Sequence, residues 1–351
     1  MQGRRQHRHL AAVLTLSFGI ATLGVPLHAE ENKTITDLCG HKVEVPISPK
    51  KIATMHCVSA EKIMTLGRGD SLALMAEQSP WAYKLFPEIG KAQSNAKMAP
   101  EQIKDMGVDF VLYTPGMTKS EPYSAVGLKP VCAFSAELRP MTIDDFVTSF
   151  QGQVSFFGEL LGGDAKVRAD KYNAYFAKKV NEIRALTSKI DPSKRPRVYY
   201  GGLRSNLLNG QGRGSVMHWI TEIAGGNYLP EVLDDNHATA TVQQVVSWDP
   251  DVIFVSGLSS TPDLAAKDAS LASLRAVKNG KVYHIPMGVY AWDHASNEGV
   301  LLMIYMAKTL HPDLFKQWNM IKEMKTFYAD IYGKQLTDQE AQRILDHLPP
   351  S

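Results

Sequence analysis

A long helical tract over residues 142–190 constrains the fold more than any other part of the chain. Its first part starts at Thr142, a capping residue, and then carries apolar side chains at helical spacing. After two consecutive glycines, a second amphipathic run covers residues 164–190 and stops before Pro192, which cannot continue a helix. A helix of about 25 residues is about 38 Å long, which is enough to cross a domain. The tract therefore divides the chain into two halves.

The two halves follow the same plan. In each half a short helix is followed by a buried strand, at residues 100–113 and again at residues 242–255. Each half also has a later short strand after a glycine-containing turn, at residues 129–134 and 280–286. Helices that alternate with buried strands are typical of parallel sheets. The sequence thus predicts an α/β fold with two Rossmann-like lobes joined by one long rigid helix.

The amino-terminal residues have the composition of a secretory signal peptide. Arginines come first, a short apolar region follows, and the segment ends at Ala29. We therefore expect a soluble protein that is exported to the periplasm. The expected segments are a signal peptide at residues 1–29, an N-terminal α/β lobe at 33–163, an interlobe backbone helix at 164–190 and a C-terminal α/β lobe at 191–351.

The charge balance argues against nucleic acid as a partner. The full sequence has 38 Lys and Arg residues and 36 Asp and Glu residues. Removal of residues 1–29 takes away three arginines and no acidic residue, so 35 basic residues remain against 36 acidic ones, a net charge of −1. Proteins that bind nucleic acid through its phosphates need a basic surface, which this balance does not indicate.

The three cysteines, Cys39, Cys57 and Cys132, all lie in the first half. An oxidising compartment permits one disulfide among them and leaves one thiol. We expect the Cys57–Cys132 pair, because both residues follow strand ends of one lobe. No CxxC or HxxxH spacing occurs, so no structural zinc site is expected.

Three candidate ligand-binding residues of the first half lie at the carboxyl ends of predicted strands, where ligands gather in open α/β folds. His56 follows the strand at residues 51–55, and Tyr113 ends a later strand. Trp81 lies in an aromatic loop between these two positions. Each has a structural alternative: His56 as a partly buried imidazole, and Trp81 as an aromatic staple onto its own lobe.

Two arginines are candidates in the second half. Arg204 and Arg213 lie in a glycine-rich loop at residues 201–215, just after a strand. A guanidinium binds an anionic ligand through forked, charge-assisted hydrogen bonds, although loop arginines are also commonly solvated. The lysine of a phosphate-binding P-loop and the spacing of a dinucleotide site are both missing.

Several short motifs occur in the order and spacing of a known family. They are Thr-Asp-x-x-Gly-x-x-Val-x-Val-Pro near residue 40, Pro100-Glu-Gln-Ile before a strand, Ala224-Gly-Gly-Asn227 and Trp248-Asp-Pro-Asp-Val-Ile-Phe-Val255. Over nearly all of residues 33–318 the chain resembles the periplasmic substrate-binding proteins of iron-siderophore, haem and cobalamin ABC importers. This resemblance implies two lobes bridged by one rigid helix, a shallow cleft between them and little closure when the ligand binds.

The resemblance also implies ligand-binding residues in the second half. In catecholate-siderophore relatives a histidine just before the equivalent helix reaches the iron, and His237 lies within a residue of that position. A Pro-x-Gly-x-Tyr-x-Trp loop, common in the family, contains Tyr290 and Trp292. We expect His237 and Tyr290 as metal ligands and Trp292 as a stacking wall, since Fe(III) prefers oxygen donors. The alternatives are a surface histidine and aromatic packing at a lobe edge.

Receptors of this family dock on the permease through an acidic residue on each lobe. Glu101 matches the first position, whereas Gln243-Gln244 stands where the second glutamate is usual. The protein is thus expected to work with an inner-membrane ABC permease and its ATPase, and to be a monomer.

The function implied by the resemblance is capture of an Fe(III)-siderophore between the lobes, without a cofactor of the protein's own and without catalysis. A nickel complex, haem, cobalamin, or molybdate or tungstate remains open as the ligand. A metal storage protein without a transporter would have the same site. A remote alternative is a periplasmic hydrolase that uses His56 and Cys57.

Overall fold

The structure, a computed structural model, describes residues 31–134, 139–235, 237–260 and 269–351. The signal peptide expected at residues 1–29 lies outside these residues. Along the described part of the chain, no helix combines the length and the apolar composition needed to span a membrane.

A five-stranded parallel sheet forms the centre of the described first half. An antiparallel hairpin of β1 (Asn32–Thr36) and β2 (Lys42–Pro46) precedes it. The sheet strands are β3 (Ile52–Thr54), β4 (Leu72–Met75), β5 (Gln93–Ser94), β6 (Phe110–Tyr113) and β7 (Pro130–Cys132), in the order β5-β4-β3-β6-β7. Strands β3 and β6 are buried along their whole length, as expected for a parallel sheet covered on both faces.

A four-stranded parallel sheet forms the centre of the described second half. Its strands are β8 (Arg197–Gly201), β9 (Asn227–Tyr228), β10 (Val252–Val255) and β11 (Val282–His284), in the order β11-β10-β8-β9. The predicted repetition is confirmed, because a short helix precedes both β6 and β10 at the expected positions. The predicted α/β class with two lobes and a long helix is therefore correct.

Helices cover the sheets and connect the two halves. The α-helices of the described residues are α1 (Cys57–Thr65), α2 (Pro80–Leu85), α3 (Pro100–Asp105), α4 (Glu121–Ala125), α5 (Ile143–Leu161), α6 (Asp164–Thr187), α7 (Val216–Ile223), α8 (Val242–Trp248), α9 (Ala269–Ala272), α10 (Arg275–Lys278), α11 (Gly299–Leu310), α12 (Met320–Phe327) and α13 (Asp338–Leu345). Short 3-10 helices lie at Gly69–Ser71, Pro87–Lys91, Pro192–Lys194, Leu203–Ser205 and Leu229–Val232, and a π-helix lies at Tyr328–Tyr332.

The long helix α6 has 24 residues and buries one face. Its buried aromatic residues Tyr172 and Phe176 pack with Phe150 of α5, with the Phe150 and Phe176 rings stacked at 4.9 Å. Gly162 separates the two helices with φ +69°, and a Cβ there would lie 2.4 Å from the Ile47 carbonyl oxygen. The helix ends at Thr187, three residues before the predicted end. Hydrophobic periodicity, together with the flanking glycines and proline, thus located α6 to within one helical turn.

The expected disulfide pairing is wrong. The structure joins Cys39 to Cys132, and Cys57 has a free thiol. The cause is Asp37, whose carboxylate accepts hydrogen bonds from the backbone N–H of Cys39 at 3.0 Å and of Cys132 at 2.9 Å. These bonds hold the turn of the β1–β2 hairpin against the end of β7. Cys57 instead begins α1, with its sulfur 3.5 Å from the Glu77 carbonyl oxygen.

A buried polar network ties the two halves together. Lys62 of α1 donates hydrogen bonds to the Ala295 carbonyl and the Asn297 side chain, both at 3.1 Å. Glu61 accepts the Asn297 backbone N–H at 3.2 Å. Tyr172 of α6 donates to the Asn297 carbonyl at 2.9 Å. The loop before α11 is therefore fixed to α1 and α6, elements that precede the second sheet.

Candidate functional site

The carboxyl edges of the two sheets lie in contact at two places. The Ser79 hydroxyl, which follows β4, donates to the carbonyl oxygens of Gly288 at 2.6 Å and Val289 at 3.0 Å, in the loop after β11. At the opposite edge of the sheets, Arg139 donates to the Asp234 carbonyl. Loops that follow strands of the first sheet thus contact loops that follow strands of the second. Ligands of open α/β folds gather at the carboxyl ends of strands, so we call the region where these loops meet the candidate cleft.

His56 lies at the carboxyl end of β3, on the first-sheet side of this cleft. It is half-buried and occupies the position before α1, but its side chain does not cap the helix. Its Nδ1 is buried and has no hydrogen-bond partner among the described residues. Burial, and secondly the charge of His294, lower the pKa of His56 to about 4. His56 is therefore a neutral imidazole at pH 7 with unsatisfied hydrogen-bonding capacity.

Tyr290 meets Cys57 across the cleft. Only 6% of Tyr290 is exposed, and its hydroxyl shares a hydrogen bond with the Cys57 thiol. Burial raises the pKa of Tyr290 far above its usual value and also raises the pKa of the Cys57 thiol. Both groups are thus protonated at pH 7. Tyr290 is a phenol rather than a phenolate, and Cys57 does not have the lowered pKa of a nucleophile.

Asp293 and His294 complete the second-sheet side of this part of the cleft. Asp293 is fully buried, and its carboxylate accepts hydrogen bonds from the Tyr200 hydroxyl at 2.7 Å and the His294 Nδ1 at 3.0 Å. Burial alone would raise the pKa of Asp293, but the charge of His294 and the hydrogen bonds from His294, Tyr200 and Ser256 lower it to about 2. The His294 ring lies 6.3 Å from the Tyr290 ring. The ionised Asp293 carboxylate thus holds the half-buried His294 imidazole beside Tyr290 through a hydrogen bond.

The two predicted arginines occupy different environments. Arg204 is exposed on a turn with left-handed backbone, φ +54°, and makes no hydrogen bond or ion pair among the described residues. Arg213 donates to the Glu231 carbonyl at 2.9 Å and lies 3.7 Å from the Asp234 carboxylate. It borders a cavity of about 270 Å³ that also includes Trp219. Arg204 is therefore the arginine with free hydrogen-bonding capacity.

The predicted tryptophans are packing residues in this structure. Trp81 is 2% exposed, and its indole N–H donates to the Leu348 carbonyl at 2.9 Å. Trp292 is completely buried. Tyr113 lies at the end of β6 and is also buried, with its hydroxyl bonded to Ser120. Trp81 therefore contacts the carboxyl-terminal segment, which neither the ligand lid nor the staple onto its own lobe anticipated, and its ligand-binding role stays a prediction.

His237 lies in an exposed turn, where its backbone N–H donates to Asp235 at 3.0 Å. No hydrogen bond or ring contact of the described residues joins its imidazole to Tyr290. The proposed metal-binding pair therefore stays a prediction, whereas the structure brings Tyr290 together with Cys57 and His294. No group of three or more His, Cys, Asp or Glu side chains in the described ranges is arranged to hold a bare metal ion.

Sequence reasoning did not single out Asp293 and His294. The usable signal was their position in the loop after the last strand, because the rule that selected His56 applies equally to that loop. The Pro-x-Gly-x-Tyr-x-Trp motif indicated the neighbouring residues Tyr290 and Trp292 instead. Nothing in the local sequence indicates that Asp293 would be buried against Tyr200.

Comparisons with known proteins show what the chain is similar to. Residues 136–287 match the family model described as periplasmic binding protein. No curated protein matches the chain in sequence. The resemblance inferred from the motifs is thus confirmed.

Three solved structures illustrate the similarity in fold. The molybdate periplasmic binding protein MolA of Haemophilus influenzae, bound to molybdate, has 18% identity and a TM-score of 0.76 over 87% of this chain and 99% of its own. CeuE of Helicobacter pylori, in a Ni-His complex, has 17% identity and a TM-score of 0.69 over 90% and 99%. A protein of an ABC-type Fe3+-hydroxamate transport system from Saccharomonospora viridis has 21% identity and a TM-score of 0.65 over 80% and 99%.

These proteins share the fold but differ in the solutes that their names give. They are solute-binding proteins of transport systems and not enzymes. The hydrolase alternative therefore has no support from them, and the raised pKa of the Cys57 thiol also argues against it.

Proposed function

We propose that this protein is the periplasmic solute-binding component of an ABC importer and that it captures a small metal chelate. The chelate would bind between the lobe of residues 33–163 and the lobe of residues 191–351, which the helical segment 164–190 joins. The monomer would then deliver it to the inner-membrane permease and its ATPase. The match of residues 136–287 to periplasmic binding proteins supports this role.

The proximity of two imidazoles is the observation that supports a metal chelate as the ligand. His56 from the first sheet and His294 from the second both present imidazoles to the same part of the cleft, close enough for the charge of His294 to lower the pKa of His56. Imidazole is a good ligand for nickel, copper, zinc and iron. The absence of a complete metal-binding cluster among the described residues agrees with a metal that arrives in a chelator.

The donor set favours a borderline divalent metal, such as nickel, over the Fe(III)-siderophore that the sequence indicated. Fe(III) prefers negatively charged oxygen donors, whereas His56 and His294 offer imidazole nitrogens. An Fe(III)-siderophore remains the second candidate because exposed Arg204 is free to bind an anionic chelate.

The two candidates predict different effects of mutation. The binding constants of Ni(II)-histidine, an Fe(III)-catecholate and molybdate would be measured by titration calorimetry for the wild type, His56→Ala and Arg204→Ala. We expect His56→Ala to weaken the nickel chelate by about tenfold, since a lost imidazole contact costs on the order of 1.4 kcal/mol. Preferential loss of Fe(III)-catecholate binding in Arg204→Ala would select the second candidate. Binding of molybdate alone would contradict both.

A further inference from the structure

The Asp293 carboxylate is fixed in place by the second sheet. One oxygen accepts hydrogen bonds from the Tyr200 hydroxyl of β8 at 2.7 Å and from the Gly257 backbone N–H, which follows β10, at 3.2 Å. The side chain is completely buried. A buried carboxylate held by several donors cannot turn toward solvent without leaving those donors unsatisfied. Its second oxygen therefore presents a fixed acceptor.

His294 donates to that second oxygen. Its Nδ1 lies 3.0 Å from Asp293 Oδ1. An ionised carboxylate only accepts hydrogen bonds, so Nδ1 must have the proton. In a neutral imidazole the opposite nitrogen, Nε2, then has a free lone pair.

The free nitrogen of His294 lies at the proposed binding site. The side chain retains 21% of its exposure, and Nε2 has no hydrogen-bond partner among the described residues. Tyr290 borders the ring at 6.3 Å, and His56 lies close enough to interact electrostatically with His294. The Nε2 atom of His294 thus lies near side chains from both halves.

We propose that Asp293 is a positioning residue that fixes His294 in its Nδ1–H tautomer, so that Nε2 coordinates the metal of a chelate with an exchangeable position. This inference rests on the proposed function and specifies its solute class. In the binding step, the Nε2 lone pair replaces a water molecule on the metal, and no electron or proton is transferred. Carboxylates that orient a metal-binding imidazole in this way raise its basicity and restrict its rotation.

The tautomer is tested first and without a metal. Two-bond nitrogen–proton NMR spectra of uniformly labelled, untagged protein would be recorded at pH 8, with His294→Gln used to assign the resonance. We expect the wild type to have the proton on Nδ1, and Asp293→Asn to lose this preference. A wild-type His294 with its proton on Nε2 would overturn the inference, whether or not Asp293→Asn folds.

Coordination is tested with two nickel probes. Nickel(II) nitrilotriacetate has exchangeable positions, whereas the ethylenediaminetetraacetate complex offers few or none. We expect the wild type to bind the nitrilotriacetate complex more tightly and to shift the visible absorption bands of its nickel. Both Asp293→Asn and His294→Gln should weaken this binding about 10- to 100-fold. Tyr200→Phe is the matched control, because it removes another partner of Asp293 and leaves the His294 contact. It should change affinity by less than about threefold, within the range expected of one neutral hydrogen bond.

The outcomes separate this inference from the function on which it rests. Equal binding of both nickel probes would overturn coordination by His294, and unchanged affinity in Asp293→Asn would overturn the positioning role of Asp293. Either result would leave chelate binding intact. Binding of neither probe, together with the Nδ1–H tautomer, would contradict the coordination role and the nickel-chelate assignment. Equal losses in Tyr200→Phe and Asp293→Asn would show that the buried carboxylate acts structurally, which would also overturn the positioning role.

Discussion

At the scale of single residues, the cysteines are distinguished by the surroundings that the fold gives them. Cys39 and Cys132 are joined because Asp37 binds the backbone N–H of both, whereas Cys57 lies on the cleft beside Tyr290. Sequence spacing does not contain this information, since the three residues are all in the first half and all follow plausible strand ends or turns. The pairing depends on how a hairpin turn docks onto a distant strand.

The disulfide is predicted to stabilise the protein and the third cysteine to have little effect. The bridge spans 93 residues, so replacing Cys39 and Cys132 together by serine should lower the free energy of unfolding by about 2–4 kcal/mol. Urea denaturation would measure the loss, with Cys57→Ser as the control. An equal loss in the control, or more than one reactive thiol in the native wild type, would contradict this assignment.

The burial of His218 predicts that the free energy of unfolding is lower at acid pH. It is 6% exposed and stacks on Trp219 at 4.2 Å, and burial, with the charge of Arg213 second, lowers its pKa to about 4. The unfolded histidine, with a pKa of about 6.5, binds a proton that the folded one excludes. The free energy of unfolding should therefore fall as the pH decreases from about 6.5 to about 4, and His218→Gln should flatten this dependence.

Urea denaturation at a series of pH values would measure the effect of His218. The exposed His237 provides the control, and His237→Gln should keep the wild-type slope. A slope that is the same in wild type and His218→Gln would refute the prediction.

At the scale of elements, the sequence predicted the features that depend on hydrophobic periodicity and on helix-capping and helix-breaking residues. The start of α5 at Thr142 and the break at Gly162 follow local rules, and so do the paired helix–strand units. It did not predict that Trp81 would be covered by the carboxyl-terminal segment, or that Lys62 would be buried. Both depend on contacts between elements that are more than 200 residues apart.

Lys62 in α1 is predicted to be essential to stability. It is completely buried, and burial lowers its pKa to about 8 against the opposing charge of Glu61. Lys62→Met would leave Glu61 and Asn297 without this partner, and we expect a loss of about 3 kcal/mol. Lys171→Met on the exposed face of α6 is the control and should change the free energy of unfolding by less than about 0.5 kcal/mol. Thermal and urea unfolding would measure both, and similar values for the two variants would contradict the role of the network.

Glu101 in the first turn of α3 is predicted to act in docking to the permease. It is exposed and lies away from the His56 and His294 imidazoles in sequence and on a separate helix. Glu101→Ala should reduce transport in cells and leave the affinity of the purified protein for its solute unchanged. Glu121→Ala, another exposed acid in the first turn of a first-half helix, is the matched control. Wild-type transport by Glu101→Ala would rule out this docking role.

At the scale of the whole molecule, contacts between the two halves restrict their relative movement. Besides the Lys62 network, Ser79 bonds to the loop after β11, and Trp81 bonds to the carboxyl-terminal segment. The Lys62 and Ser79 contacts are buried, so a large closure would leave several polar groups unsatisfied. We therefore expect a cleft of nearly fixed shape, which would suit a rigid chelate recognised by side chains already in place.

The most direct test of the central claim is native mass spectrometry of the untagged protein, purified from periplasm after growth with iron, nickel and molybdate together. Metal analysis of the same sample would identify the element bound. We predict one metal chelate per chain, with binding reduced in His294→Gln. A protein that emerges without any adduct, or with a bare oxyanion or a metal-free molecule, would contradict the account.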